Sequence, residues 1–348
     1  MELSVIIPVL NEADTLPALF RTLAFQAETG METVICDGGS SDGTVALAER
    51  LAGEAPFPVR VITVAAGRAR QLNAGAAAAG GDSLLFLHAD SLFADRLAFR
   101  KGLDRLADRI AETGTDRVAG HFALRFDRWE TAPSRGYYHF ACKARLDRQG
   151  CTHGDQGFLL RRGFFDAVGP FDGSVPMMAE TRFAEAVRAA GQWLLLPAEI
   201  QTSARRFETE GLRERQTLNA VISNFAAAGW EVFFREFPRL YANQEAAGRL
   251  DLASFLRETD RLMATLPLRQ RLRLWYDTGR FVRDNAWQLA LARDTARDFR
   301  QTLPAGEGDM RSLAFYDCCL NRLTDHPPGR ALAALFTWLW LRWNCRSA

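Results

Sequence analysis

Polar and charged side chains follow each of four apolar runs in the first ninety residues of this 348-residue chain. Acidic groups suit the hydroxyls and the imide of a nucleoside, arginines suit a diphosphate, and a lone carboxylate at a strand end suits Mg²⁺ or Mn²⁺. These residue types therefore predict one site for a nucleotide, its phosphates and a metal. The candidate residues of these segments are, in chain order, Pro8, Asn11, Glu12, Asp37, Arg68, His88 and Asp90.

The elements that would position these residues repeat one pattern. The apolar runs at 3–9, 33–36, 59–64 and 84–87 are uninterrupted, which is typical of parallel strands buried on both faces. Helical spacing separates them, as in Leu16, Leu19, Phe20 and Leu23 and in the alanine-rich stretch 68–79. Alternating strands and helices predict right-handed βαβ units in an open parallel sheet, and ligands bind such sheets beyond the carboxyl ends of the strands.

The pattern changes after residue 118. Alternation over 118–126 predicts a half-exposed strand, followed by a strand at 157–160, a helix over 179–190, and short strands at 193–196 and 200–204. Beyond about 211 the patterns are almost entirely helical. They cover 212–236, 251–265, 268–301, 310–323 and 329–343.

Composition excludes several classes of protein. Forty-three basic and 42 acidic residues leave a formal charge of +1, which gives no reason to expect nucleic acid as a partner. The six cysteines form no CxxC pair, which argues against a zinc site and favours a reducing, cytoplasmic compartment. The N-terminus enters a strand pattern at once, which argues against secretion. The apolar segment 331–341 is shorter than the ~20 residues that span a bilayer.

Several segments in combination resemble a family 2 glycosyltransferase. They read SVIIPVLNEADTL, VICDGGSSDGT, GRARQLNAGAAAAGGDSLLFLHADS, GDQGFLLRRGFFDAVGPFD and TSARRFETEG. The likeness covers about residues 1–215 and is greatest to a short bacterial subfamily with HAD in place of the usual DxD motif. It implies the GT-A fold: an α/β domain over 1–211 with a mainly parallel sheet flanked by helices. Its nucleotide-sugar half would cover about 1–92 and its acceptor half about 115–211, with a helical region over 212–348.

The resemblance also implies roles in the donor site. Glu12 and Asp37 would contact the nucleoside, and Arg68 the diphosphate. Asp90 matches the last acid of DxD, the ligand of the divalent cation (Mn²⁺ or Mg²⁺) that bridges the phosphates of a nucleoside-diphosphate sugar. His88 stands where the first acid of that motif usually meets the ribose, so the ribose contact departs from the family pattern.

The acceptor half carries the predicted base. The family tends to show an acidic pair in a stretch such as PLMEDVEL, and here residues 176–183 read PMMAETRF. Ala179 replaces one acid, and Glu180 stands at the position of the catalytic Asp that deprotonates the acceptor hydroxyl. Asp155, in a segment like the family's acceptor side, is the second candidate. Arg205 and Arg206 could close on the diphosphate from a loop.

The resemblance predicts an inverting, metal-dependent transferase that moves a sugar onto an acceptor hydroxyl. The altered HAD and Ala179–Glu180 positions keep open a protein that binds nucleotide sugar without transferring it. A sugar nucleotidyltransferase would need a glycine-rich triphosphate loop after the first strand, and a dinucleotide oxidoreductase would need GxGxxG there. This chain has neither motif at that place. The helical region could cover the acceptor cleft, form a homodimer interface, or contact a membrane peripherally through 331–345.

Overall fold

The computed structural model describes residues 1–129, 132–174, 177–245 and 248–346, so Pro176 of the PMMAETRF segment lies outside the described residues. The chain divides into two compact units. The first unit comprises Met1–Asp127 and Phe140–Ser203, and the second comprises Arg128–His139 and Ala204–Ala348.

The first unit is built on a seven-stranded sheet. Its strands are β1 (Leu3–Val9), β2 (Met31–Asp37), β3 (Val59–Thr63), β4 (Ser83–Phe86), β5 (Val118–Asp127), β6 (Phe158–Arg161) and β7 (Gln192–Ser203). Their order across the sheet is β3-β2-β1-β4-β6-β5-β7. All neighbours pair in parallel except β6, which runs antiparallel to β4 and to β5. The predicted mainly parallel sheet is therefore confirmed.

Helices cover both faces of this sheet, which explains the uninterrupted apolar runs. Alternate residues of β1 enter two different apolar clusters, with Val5 and Ile7 in one and Ile6 in the other. The helices of this unit are α1 (Leu16–Ala24), α2 (Thr44–Glu54), α3 (Arg68–Ala78), α4 (Ala98–Thr113), α6 (Arg162–Val168) and α7 (Ala179–Ala190). Helix α5 (Arg135–Lys143) begins in the second unit and ends in the first. Helix α3 lies so close to the sheet that a Cβ on Gly75 would stand 2.4 Å from the Ile6 side chain.

Two predictions for the later strands were wrong. The first seven residues of β5 are buried, not half-exposed, because the sheet is covered on both faces there. The predicted strands at 193–196 and 200–204 are one continuous strand, β7. Its pairing with β5 shifts register between Phe122 and Ala123. The residues that were predicted to separate two strands lie at this irregularity, within one strand.

The second unit is helical throughout the part of it that the structure describes. Its helices are α8 (Arg205–Glu210), α9 (Leu212–Ala227), α10 (Glu231–Glu245), α11 (Leu252–Ala264), α12 (Leu268–Asp284), α13 (Trp287–Arg300), α14 (Arg311–Phe315), α15 (Asn321–Thr324) and α16 (Pro327–Arg346). The predicted helical region is confirmed, although two of its patterns each fall on two separated helices. The pattern over 212–236 is divided at 228–230, and the pattern over 268–301 is divided at Asn285 and Ala286. No described helix combines the length and the apolarity needed to cross a bilayer.

Candidate functional site

The loops that follow β1 and β2 are fastened to each other. The Asn11 backbone N–H donates to Ser40 Oγ at 2.9 Å, and Asn11 Oδ1 accepts from the Ser41 N–H at 2.9 Å. The Glu12 N–H donates to Thr44 Oγ1 at 2.9 Å. Asn11 has a φ of 55°, in the left-handed region that Asn tolerates better than most residues. These bonds fix the half-buried Glu12 at the carboxyl end of β1.

Asp37 stabilises its own turn. Its side chain is 1% exposed, and its carboxylate accepts from the backbone N–H groups of Gly39 at 2.8 Å and Ser40 at 3.2 Å. Pro8 is buried within β1, where it pairs with Cys36. The nucleoside contacts predicted for this region stay predictions.

Gln71 joins the ends of the same two strands and was missed by the sequence analysis. Its amide Nε2 donates to the carbonyl oxygens of Val9 and Cys36, both at 2.8 Å. The side chain is 4% exposed. A glutamine three residues after Arg68, on the helix face turned to the sheet, was the available signal. Gln71 therefore positions the loops rather than contacting a ligand.

Arg68, His88 and Glu180 lie together, although 112 residues separate the first from the last. Arg68 Nε donates to Glu180 Oε2 at 3.1 Å, and His88 Nε2 lies 2.7 Å from Glu180 Oε1. Arg68 Nη2 is also 2.8 Å from the same His88 nitrogen. That nitrogen can accept from Arg68 or donate to Glu180, and one tautomer cannot do both. The structure thus brings together three residues that the sequence assigned to different roles.

The environment of Glu180 favours its charged form. Burial opposes ionisation, but attraction by Arg68 and His88, with the hydrogen bonds from both, outweighs burial and holds the pKa of Glu180 well below its usual range. Ala179, where the family resemblance expects another acid, is 4% exposed and packs in an apolar cluster with Phe158 and Phe183. A carboxylate at residue 179 would therefore be buried away from this group.

Asp155 supplies a second carboxylate next to Glu180. It lies on a short 3-10 turn, Gly154–Gln156, between β5 and β6 in the chain. A Cβ on Gly154 would stand 2.0 Å from Glu180 Oε1 and 2.9 Å from His88 Nε2, so only glycine permits this approach. Gln156, which is fully buried, anchors the turn by donating to the Ala144 carbonyl oxygen at 2.7 Å.

The Asp155 carboxylate is held in an unfavourable environment for its charge. Its Oδ1 is buried and has no hydrogen-bond partner among the described residues. Burial raises the pKa of Asp155 to about 6 against the attraction of His88, and the negative charges of Glu180 and Asp90 raise it further. A buried carboxylate oxygen without a partner, in a group whose pKa is moved toward neutrality, is typical of a side chain that meets a ligand or a proton.

Asp90 follows β4 and is anchored to the end of β7. Its Oδ2 accepts from Thr202 Oγ1 at 3.3 Å and from the Ser203 N–H at 3.2 Å. Its Oδ1 makes no hydrogen bond within the described parts of the chain. The backbone of Leu92 pairs with that of Gln201, which holds the loop against β7. The half-buried carboxylate is thus oriented with one oxygen free.

The residues present fit a divalent cation shared with a substrate. Within residues 1–129, 132–174, 177–245 and 248–346, no three His, Cys, Asp or Glu side chains are arranged to hold a metal by themselves. Mg²⁺ in phosphate-transfer sites typically takes one or two carboxylates, with the remaining ligands from phosphates and water. Asp90 Oδ1 is one such oxygen, because both hydrogen bonds of this carboxylate fall on Oδ2.

Arg205 and Arg206 belong to the second unit. There they line a cavity of about 240 Å³ together with Glu210 and Tyr241, and Arg206 Nε lies 4.0 Å from Glu210. Their predicted contact with a diphosphate stays a prediction.

Comparison with known proteins places the chain among sugar-transferring enzymes. Residues 4–169 match the model of the family described as "Glycosyl transferase family 2". A PGL/p-HBAD biosynthesis glycosyltransferase of Mycobacterium tuberculosis is 35% identical over 186 residues, which are 52% of this chain and 67% of that protein. The succinoglycan biosynthesis protein ExoA of Rhizobium meliloti is 30% identical over 188 residues, 49% of this chain and 53% of that protein.

Solved structures with low sequence identity also align with the chain. A mannosyltransferase from Pyrobaculum calidifontis, solved in complex with GDP-Man and Mn²⁺, aligns with a TM-score of 0.49 and 17% identity over 97% of this chain and 87% of that one. TarS of S. aureus, residues 1–349, aligns with a TM-score of 0.46 and 15% identity over 86% of this chain and 92% of that one.

Proposed function

The chain belongs to glycosyl transferase family 2 and is a glycosyltransferase, and from this premise we propose that it transfers a sugar from a nucleoside-diphosphate sugar to an acceptor hydroxyl. We propose further that the reaction inverts the anomeric carbon and uses a divalent cation. The observation that carries the proposal is the group formed by Arg68, His88, Glu180 and Asp155. It sets a guanidinium and an imidazole beside one paired carboxylate and one carboxylate with an unpartnered oxygen.

Arg68 is the proposed contact of the departing diphosphate. It is the first residue of α3, so the unpaired N–H groups of that helix and the guanidinium both favour an anion there. Its side chain is 36% exposed, which leaves the guanidinium accessible. Glu180 then serves to hold Arg68 and His88 in position before the donor binds.

Asp90 is the proposed carboxylate for the cation. The fixed Oδ2 of Asp90 orients its free oxygen, and the carboxylates of Asp155 and Glu180 add to the negative environment. A bound cation offsets the charge that develops on the diphosphate. Relief of the repulsion among these carboxylates would favour its binding.

We assign the role of general base to Asp155 and not to Glu180. A base is most effective when its pKa lies near the working pH, and Asp155 meets this condition. Glu180 instead contacts Arg68 and His88, which hold its pKa well below its usual range. The acceptor O–H gives its proton to the Asp155 carboxylate while the oxygen bonds to the anomeric carbon. The bond from that carbon to the phosphate oxygen breaks, and its electron pair leaves with the diphosphate. A single displacement of this kind inverts the anomeric centre.

The reaction is proposed to take place in a reducing, cytoplasmic environment. None of the six cysteines, all of which lie in the described part of the chain, forms a disulfide, and Cys36, Cys142 and Cys151 are buried. Such a set is typical of proteins kept under reducing conditions.

The proposal is tested by measuring nucleoside diphosphate released from a panel of nucleotide sugars, with and without Mn²⁺ or Mg²⁺, with water or simple sugars as acceptor. We expect cation-dependent release by the wild type and its loss in Asp90→Ala. The exposed Asp166 offers a matched control, because Asp166→Ala removes a carboxylate of the same unit far from the group. Tight donor binding with no release under any condition would instead support a protein that binds nucleotide sugar without transferring it.

A further inference from the structure

The last described helix, α16, presents an apolar face to solvent. Along its length, large apolar side chains recur at helical spacing and remain about two-fifths to three-quarters exposed. They are Leu332 (52%), Leu335 (50%), Phe336 (61%), Trp338 (38%), Leu339 (48%) and Trp343 (76%). Five of them, at i, i+3, i+4, i+7 and i+11 from Leu332, lie on one side of the helix, and Trp338 lies at the border of that side. The opposite side, which includes the 6% exposed Leu341, is turned toward the unit.

Helix α12, which packs against α16, adds more exposed apolar surface. The two helices cross closely at Gly279, where a Cβ would stand 2.2 Å from the Arg330 carbonyl oxygen. Leu268, Leu272 and Tyr276 of α12 are 60%, 59% and 37% exposed and lie four residues apart. On the helix, exposed arginines border this row at positions 269, 273 and 280. Arg269 has no hydrogen-bond or ionic partner among the described residues.

The charge of these two helices differs from that of the rest of the chain. Together α12 and α16 contain eight arginines and two aspartates, a net charge of +6. The whole chain carries +1, so the remaining residues carry −5. Positive charge is therefore concentrated on the same two helices that expose the apolar side chains.

We propose that α16 and α12 rest on an anionic lipid surface, with the helices in the plane of the headgroups. An apolar face with arginines at its border and no length sufficient to cross a bilayer is the pattern of interfacial helices. Trp338 and Trp343 place amphipathic rings where the headgroups meet the acyl chains. Arg342 lies beside Trp338, with its guanidinium 5.6 Å from the ring centre, and is paired with Asp260, so the exposed arginines of α12 supply the charge for lipid phosphates.

A second copy of the chain fits this surface less well than lipid does. A two-fold interface would bring the same surface of each copy together and so oppose two helix pairs of +6 each. Juxtaposed like charges disfavour association, whereas anionic lipids supply the complementary charge. The surface lies wholly in the second unit, so the proposal is independent of the proposed catalytic roles.

The test is co-sedimentation of the full chain with vesicles of phosphatidylcholine alone or with about 30% phosphatidylglycerol. We expect binding to the anionic vesicles at least about tenfold stronger than to the neutral ones, and weaker binding when salt rises from about 0.1 M to about 0.5 M. Leu335→Glu with Leu339→Glu should weaken binding about 100-fold, since each buried leucine contributes about tenfold. Arg269→Glu with Arg273→Glu should weaken anionic binding by about 25-fold or more.

Leu97→Glu is the matched control, because Leu97 is 49% exposed but lies in the first unit. It should bind vesicles like the wild type, and all variants should keep the wild-type melting temperature. The proposal is overturned if the wild type binds neither vesicle, or binds both equally. It is also overturned if the leucine variants abolish a concentration-dependent dimer of a chain that ignores lipid.

Discussion

The loops after β1 and β2 and the group around Glu180 hold their carboxylates in opposite ways. Asp37 accepts backbone N–H groups of its own turn, so its charge is satisfied by residues within three positions of it. Glu180 is held by Arg68 and His88 from distant parts of the chain, and Asp155 Oδ1 is buried without a partner among the described residues. The carboxylate of the first region is therefore satisfied within its own loop, whereas the second region contains a buried carboxylate oxygen that a substrate can bind.

Asp155→Asn should cause the largest change, because it removes the proposed base but keeps the shape of the side chain. We expect kcat to fall by about 10²–10⁴-fold while donor affinity stays near that of the wild type. Steady-state kinetics and donor titration check this. Near-normal turnover would return the role of base to Glu180.

The same substitution should stabilise the fold at neutral pH. A carboxyl whose pKa is raised from 3.8 to about 6 on folding favours the fold only when protonated, and that contribution is lost as pH rises from about 4 through about 6. Asp155→Asn should therefore raise the free energy of unfolding at pH 7.5 by on the order of 2 kcal/mol, and raise it little at pH 4. Urea unfolding at the two pH values measures the difference. A loss of stability at pH 7.5 would show that the carboxylate is satisfied in the free protein.

Glu180→Gln should move the pH dependence of any remaining activity. In the wild type we expect kcat/KM to rise as pH passes through about 6, where Asp155 loses its proton. Removing the negative charge of Glu180 lowers the pKa of Asp155, so the rise should shift to lower pH. Donor affinity should also fall, because Arg68 loses its partner. A pH profile that starts well below 4.5 in the wild type would contradict the assignment, since it would match Glu180.

Gln71→Leu should destabilise the loops after β1 and β2. It leaves the carbonyl oxygens of Val9 and Cys36 without their side-chain donor, at a cost of roughly 1–3 kcal/mol in the free energy of unfolding. Urea unfolding checks the value, and the exposed Gln301 provides Gln301→Leu as the control. An equal change in both variants would mean that the buried amide has no special role.

Asn11→Gly should have the smallest effect. Glycine relieves the left-handed backbone at φ 55° but loses the bond from Asn11 Oδ1 to the Ser41 N–H, so the two changes offset within about 0.5 kcal/mol. Asn11→Ala keeps the strain and loses the bond, and should cost about 1–2 kcal/mol. The difference in thermal unfolding between the two variants separates backbone strain from the hydrogen bond.

The difference between local contacts in the first region and distant contacts around Glu180 also explains which features could be predicted from the sequence. The sheet that contains β1 to β4 was predicted because each strand is an apolar run followed by turn residues within a few positions. Strands β1, β2 and β4 are buried throughout, whereas the edge strand β3 is only partly buried. Helix α4 has an equally local signal that the predictions did not use, since Phe99, Leu103 and Leu106 lie at helical spacing. The prediction that β5 is half-exposed was wrong, because its burial depends on helices elsewhere in the chain.

The site was predicted as separate residues and not as an arrangement. Arg68, His88 and Glu180 were each chosen, but no local pattern states that one nitrogen of His88 faces both of the others. Because Ala179 stands where the family has an acid, the sequence indicated that the site has lost one carboxylate. In the structure Asp155, from a different turn, is the second carboxylate beside Glu180. Gly154 is needed for that turn only because Glu180 approaches it, so its role could not be read without the fold.

The nitrogen shared by Arg68 and Glu180 has a further consequence for measurement. When a bound anion draws the Arg68 guanidinium away, His88 Nε2 is left with Glu180 as its one polar neighbour in this group, and the imidazole settles in a single tautomer. The ¹⁵N chemical shifts of His88 would then change from those of an averaged ring to those of a fixed one. His88 would thus act as a spectroscopic reporter of whether the leaving group is in place.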